Sequence, residues 1–272
     1  MQQHDEATHP LPVPGLIVDT GWLGGHLHHP SLRLLDVRPA DAYAAGHIPG
    51  GVQVELAWLS GVVDGVEGML LPADAYARVM GLLGVDTLRT VVIYDANWGL
   101  PGSRVLWGLL RQGHTRVALL DGGWNRWRQE GRPTSTESAR PSPAVFQPHP
   151  ADDTIATRDW LLARLDDPQV AIVDTRTPGE YAQGHVLGSV NWDWLNGVPV
   201  DSWDAFRPAD HVRAELAALG VTPDKEIVTY CRSGVRAAHT FVLLRHLGFP
   251  RVRNYDGSWL EWSQFAPQEA RA

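Results

Sequence analysis

The chain is an imperfect duplicate of itself, and this restricts its fold more than any other feature. Leu34-Leu35-Asp36-Val37-Arg38 returns 138 residues later as Ile172-Val173-Asp174-Thr175-Arg176. Tyr43-Ala44-Ala45-Gly46-His47-Ile48 returns at the same offset as Tyr181-Ala182-Gln183-Gly184-His185-Val186. Gly84-Val85 then matches Gly220-Val221, and Val92-Ile93-Tyr94-Asp95 matches Val228-Thr229-Tyr230-Cys231, at an offset of 136. Asp121-Gly122-Gly123-Trp124 with Trp127 matches Asp256-Gly257-Ser258-Trp259 with Trp262, at 135. So small a drift means two copies of one domain with minor loop changes. The copies span residues 14–131 and 152–267. The 132–151 segment between them carries Pro133, Pro141, Pro143, Pro148 and Pro150, cannot sustain a helix, and reads as a linker.

With 272 residues, 44% of them hydrophobic, each copy can bury a core of its own. Val170–Val173 and Glu226–Tyr230 read as buried strands, and Ala237–Leu247 as a helix stopped by Gly248 and Pro250. Strand, loop, helix and strand in that order predict an α/β fold, with a mainly parallel sheet flanked by helices in each copy. Ligands of such sheets sit beyond the carboxyl ends of the strands, where Cys231 falls. The net charge of −8 argues against a nucleic-acid surface, and no apolar run approaches the length that spans a bilayer. The stretch Met1–Glu6 lacks the basic start and apolar core of a secretory leader, so a soluble cytoplasmic protein is expected. One cysteine forbids a disulfide framework or a Cys-x-x-Cys metal site.

That cysteine opens the segment Cys231-Arg232-Ser233-Gly234-Val235-Arg236, between a predicted strand and a predicted helix. A tight turn at a helix start aims backbone N–H groups and the positive end of the helix dipole at one point. Arg232 and Arg236 add full charges, and all three effects favour a thiolate, a persulfide anion or an incoming oxyanion. A cysteine after an apolar strand is often only a small buried hydrophobe. The duplicate argues otherwise, because it has Asp95 at the matching place, and aspartate is an odd partner for a packing residue. A nucleophile needs its sulfur at the focus of the loop amides; a side chain facing hydrocarbon and sealed away from solvent would end that reading.

The Cys-Arg-Ser-Gly-Val-Arg loop, Gly46-His47-Ile48-Pro49-Gly50 and Asn254-Tyr255-Asp256-Gly257-Ser258-Trp259 together resemble the tandem-domain rhodanese family, over nearly the whole chain. The resemblance implies two rhodanese-like domains, a catalytically silent first and a catalytic second. It also implies a sulfurtransferase in which Cys231 takes sulfur from a small anionic donor as a persulfide. A thiol or cyanide then accepts the sulfur, with no metal or organic cofactor. Substrate-binding roles fall to Arg176, Arg232, Ser233, Gly234, Val235 and Arg236, with Arg176 pointing into the pocket at the donor's anionic end. A partner protein as acceptor is a further reading; nucleic acid and membrane are not expected partners.

Within that family, thiosulfate users tend to carry basic residues after the cysteine, and 3-mercaptopyruvate users small uncharged ones. Arg232 follows the first habit and Ser233 the second, and two guanidinium groups beside the sulfur favour the thiosulfate dianion. No long insertion separates Arg176 from Gly184, which removes a second substrate arginine of the mercaptopyruvate kind. Tyrosine phosphatases also place a cysteine loop before a helix, but as Cys-x5-Arg; here that position is Ala237, and the arginine comes one residue early. His47 and His185 recur in both copies, so a shared turn-fixing role is expected of them. Trp124, Trp127, Trp259 and Trp262 also recur and are expected to pin a last helix to each sheet. Trp98, Trp192 and Trp194 have no such symmetry, and pocket lining and ordinary packing stay open for them.

Overall fold

A computed structural model describes residues 10–272; Met1–Glu6, on which the expectation about a leader rests, lies outside them. The first repeat runs through β1 (Ile17–Val18), α1 (Thr20–His26), β2 (Leu32–Asp36), α2 (Ala40–Ala45) and β3 (Gly51–Gln53). It continues with β4 (Ser60–Val63), β5 (Val66–Leu70), α3 (Ala73–Leu82), β6 (Thr90–Tyr94), α4 (Leu100–Arg111), β7 (Val117–Leu120) and α5 (Gly123–Gln129). The second repeat supplies β8 (Ile155–Ala156), α6 (Arg158–Leu162), β9 (Val170–Asp174), α7 (Pro178–Ala182) and β10 (Val190–Asn191). It ends with α8 (Ala209–Ala218), β11 (Glu226–Tyr230), α9 (Val235–His246), β12 (Val252–Tyr255) and α10 (Ser258–Phe265).

Each repeat builds one five-stranded sheet. The orders are β1-β7-β6-β2-β3 and β8-β12-β11-β9-β10, the same arrangement twice, and every pairing within them is parallel. The central strand β6 is buried throughout and β11 is buried from Ile227 to Tyr230, as expected of central strands in a parallel sheet. Trp127 and Trp262 are fully buried in matching clusters with Tyr94 and Tyr230, so the recurring tryptophans do anchor the last helix of each copy. Helix α9 begins at Val235, two residues before its expected start. Gly234, with φ 79° and ψ −7°, turns the chain in the left-handed region and serves as the N-cap, a conformation that costs glycine little.

The compact units do not follow the repeats in full. Among the described residues one unit comprises 10–59, 72–150 and 201–205; the other comprises 60–71, 151–200 and 206–272. The β4–β5 hairpin, encoded in the first repeat, thus belongs to the unit that holds Cys231. Asp64 and Gly65 at its tip both have positive φ, 50° and 80°, as a two-residue hairpin turn demands. Residues 136–150 form no helix or strand and run within the first unit, where Ala144 N–H donates to Gly81 O and His149 N–H to Gln112 O. Among the described residues no helix is long and apolar enough to cross a membrane.

Candidate active site

Cys231 follows the last residue of β11, which lies between β9 and β12 in the middle of the second sheet. Its loop is held from behind by α10. Trp259 N–H donates to Cys231 O and Leu260 N–H to Arg232 O, both at 3.0 Å. The Cys231 N–H donates to Ser258 Oγ at 3.1 Å, and the Ser258 hydroxyl donates to Tyr255 O at 2.7 Å. These bonds engage the carbonyls of Cys231 and Arg232 and the Cys231 amide. The N–H groups of the first turn of α9 have no acceptor within their own helix.

The first repeat shows what such a turn can hold. Asp95 Oδ1 accepts the N–H of Asn97 at 2.7 Å and of Gly99 at 3.0 Å, while Oδ2 accepts Gly102 N–H at 2.9 Å. The N-cap glycine comes four residues after Asp95 but three after Cys231, so the aspartate has a loop one residue wider. A carboxylate buried at the head of a helix is thus satisfied entirely by loop and helix amides. Burial pushes the Asp95 pKa up, and the three N–H donors pull against that shift.

Cys231 itself is 1% exposed. Its neighbourhood is nonetheless charged. Arg236, one residue into α9, donates from Nη1 and Nη2 to the two oxygens of Glu180, each at 2.7 Å. The Glu180 carboxylate, and after it the Cys231 sulfur, hold the Arg236 pKa above its ordinary value against the effect of burial. Arg236 in turn is the main cause that takes the Glu180 carboxyl down to about 2, with Thr177 assisting. The Arg232 side chain is exposed, and Ser233 and Val235 are half-buried. Gly68 of β5 approaches Ser233 closely enough that a Cβ on it would lie 3.5 Å from the Ser233 Cβ. Leu70 N–H, on the same strand, donates to Asp256 Oδ2 at 2.8 Å.

Arg176 is where the sequence expectation has to be corrected. Its guanidinium is engaged within the fold. Its Nε and Nη2 clasp the Asp174 carboxylate, Nη2 also donates to Gly184 O at 2.7 Å, and the Trp259 ring covers it at 4.7 Å. Arg38 repeats the arrangement with Asp36, Gly46 O and Trp124. At 2% exposure Arg176 is a buried structural ion pair, made in both copies. His47 and His185 stack on Tyr43 and Tyr181, with Nδ1 2.9 and 3.0 Å from those tyrosines' own carbonyls, which is the shared turn-fixing role. Trp192 is buried and donates to Glu215, Trp194 packs edge-on against His239, and Trp98 donates to Ser202 O.

Three features of the site escaped the sequence reading: Glu180, Ser258 and the β5 strand. Ser258 had a signal, since Gly123 stands opposite it in an otherwise matching motif, whereas Glu180 lies where the two repeats differ at four successive positions. The backbone φ is 51° at Gly123 and 50° at Ser258, so a serine occupies a conformation that favours glycine.

A rhodanese-like domain model matches this chain twice, at residues 19–130 and 157–265. The chain belongs to the rhodanese family. This rhodanese is 34% identical over 271 residues to the sulfur carrier protein TtuD of Thermus thermophilus, covering 92% of this chain and 94% of that one. It is 35% identical over 257 residues to a thiosulfate sulfurtransferase of Azotobacter vinelandii, covering 91% and 93%. Among solved structures it is similar to the 3-mercaptopyruvate enzyme SseA of Escherichia coli. There the TM-score is 0.83 and the identity 26%, over 90% of this chain and 99% of that one.

Proposed function

We propose that this rhodanese is a thiosulfate sulfurtransferase whose nucleophile and sulfur carrier is Cys231. The Cys231 thiolate attacks the outer sulfur of thiosulfate; a new S–S bond forms and the thiosulfate S–S bond breaks. Sulfite leaves with the bonding pair. The resulting persulfide anion is then attacked at its outer sulfur by cyanide or a thiolate. With cyanide, thiocyanate departs and the Cys231 thiolate is restored, with no net electron or proton change. The amides of Ser233, Gly234 and Val235 hold the anion, and Arg232 and Arg236 supply charge. Arg176 has no part in this reading.

The observation that carries the proposal is the Asp95 carboxylate, which rests on three amides of the equivalent turn in the first repeat. That turn converges N–H donors on one side-chain acceptor, and in the second repeat the group at its head is a thiol. The likeness to TtuD favours a second reading of the last step, delivery of the sulfur to a protein acceptor. The free cysteine suits the cytoplasm, where thiols stay reduced. Mass spectrometry of the intact protein after thiosulfate treatment should show a gain of one sulfur atom, reversed by cyanide and absent in Cys231→Ala. A wild-type protein that gains nothing would end this reading. Saturable turnover of thiosulfate with cyanide marks the enzyme, and transfer only in the presence of a partner protein marks the carrier.

A further inference from the structure

Glu180 sits in the first turn of α7, where the helix start fixes it independently of the cysteine loop. Its Oε2 accepts from the Thr177 amide at 3.2 Å and the Thr177 hydroxyl at 3.0 Å. Thr177 Oγ1 accepts the Glu180 N–H at 3.3 Å, which completes a reciprocal capping box. The carboxylate fixed in this way takes both terminal nitrogens of Arg236, in the fork-to-fork geometry that sets the plane of a guanidinium.

The duplication supplies an internal control. Asp174–Arg176 has a twin in Asp36–Arg38 and therefore belongs to the fold. Glu180–Arg236 has no twin. Ala42 stands 138 residues before Glu180 and Pro39 before Thr177, while α4 opens with Leu100-Pro101 where α9 opens with Val235-Arg236. Each component of the pair is confined to the copy that carries the cysteine. An ion pair needed only to build this domain would be expected in both.

The structure assigns Glu180 as a positioning residue for the Cys231 reaction, acting through Arg236. The inference rests on the sulfurtransferase reading above. An arginine side chain left to itself spreads over many rotamers, and ordering it at the sulfur would cost side-chain entropy. The Glu180 carboxylate holds two of the five N–H donors and leaves the rest of the fork for the sulfur and its anionic adducts. Glu180 touches neither donor nor sulfur in this role.

Because the chain has one cysteine, iodoacetamide alkylation reports Cys231 alone. The test compares its rate at neutral pH, and single-turnover sulfite release from thiosulfate, in wild type, Glu180→Gln, Glu180→Asp, Arg236→Gln and the double Gln variant. Glu180→Gln should slow both by about tenfold, the size of one charge-assisted hydrogen bond. Arg236→Gln should do as much, and the double variant should be no slower than Arg236→Gln alone. Glu180→Asp should recover part of the rate, and it carries the comparison should the Gln variant fail to fold. Unchanged alkylation, or losses that simply multiply in the double variant, would overturn the assignment. If wild type releases no sulfite, the sulfurtransferase reading fails while the alkylation series still decides the role of Glu180.

Discussion

Arg176 and Arg232 carry the same charge in the same half of the chain, yet their surroundings are opposite. Arg176 is enclosed with Asp174 beneath Trp259, while the Arg232 side chain is exposed on the cysteine loop. Arg176→Ala should destabilise the protein by about 3–5 kcal/mol, because it strands a buried carboxylate. Arg232→Gly should leave the denaturation midpoint in place and raise KM for thiosulfate more than for 3-mercaptopyruvate. Denaturant titration beside steady-state kinetics with both donors checks the pair, and equal KM effects would remove the charge argument for thiosulfate. The sequence singled out Cys231 because Asp95 broke the match at a strand end. Where Arg176 points was not legible there, since a charge on a loop reads alike whether it faces a ligand or an adjacent carboxylate. Its twin Arg38, in a copy without the thiol, was the clue that favoured the fold. Ser258 was hidden for another reason: its hydroxyl meets the Cys231 amide only because the folded backbone is left-handed there.

At the level of elements, the apolar runs of β9 and β11 announced themselves, and β11 spans its expected residues Glu226–Tyr230. The start of α9 was displaced because the sequence shows a glycine but not the sign of its φ. Helix α7 was not predicted at all. Its five residues are too few to display a helical period, and it is held by the Thr177–Glu180 capping box. The pairing of Glu180 with Arg236 has a measurable consequence. Arg236, first among its causes, takes the Glu180 pKa down to about 2 in the folded protein, from the ordinary value near 4.5 in the unfolded chain. A depressed carboxyl contributes stability that is fully present above the unfolded pKa and is lost as pH falls through the folded one. Thermal midpoints followed from pH 6 down to pH 2 should therefore drop less steeply for Glu180→Gln than for wild type below about pH 4.5. Parallel curves would show that the pair is not linked to folding.

On the scale of the molecule, the duplication was plain from the sequence, and both sheets have the same strand order. The exchange of segments was not, because an offset between matching motifs says nothing about which unit a hairpin joins. Residues 60–71 complete the unit of Cys231, with Leu70 bonded to Asp256 and Gly68 against Ser233. A fragment of residues 152–272 retains β8 to β12 but lacks that hairpin. It should load sulfur from thiosulfate at least about tenfold more slowly than the full chain, as expected when a reacting group loses its support. Sulfite release by fragment and full chain at equal concentration decides this, and equal rates would mean the hairpin is dispensable. The swap also bears on descent. A recombination event that cut between the two copies would part residues 60–71 from the unit they complete, and residues 201–205 from theirs.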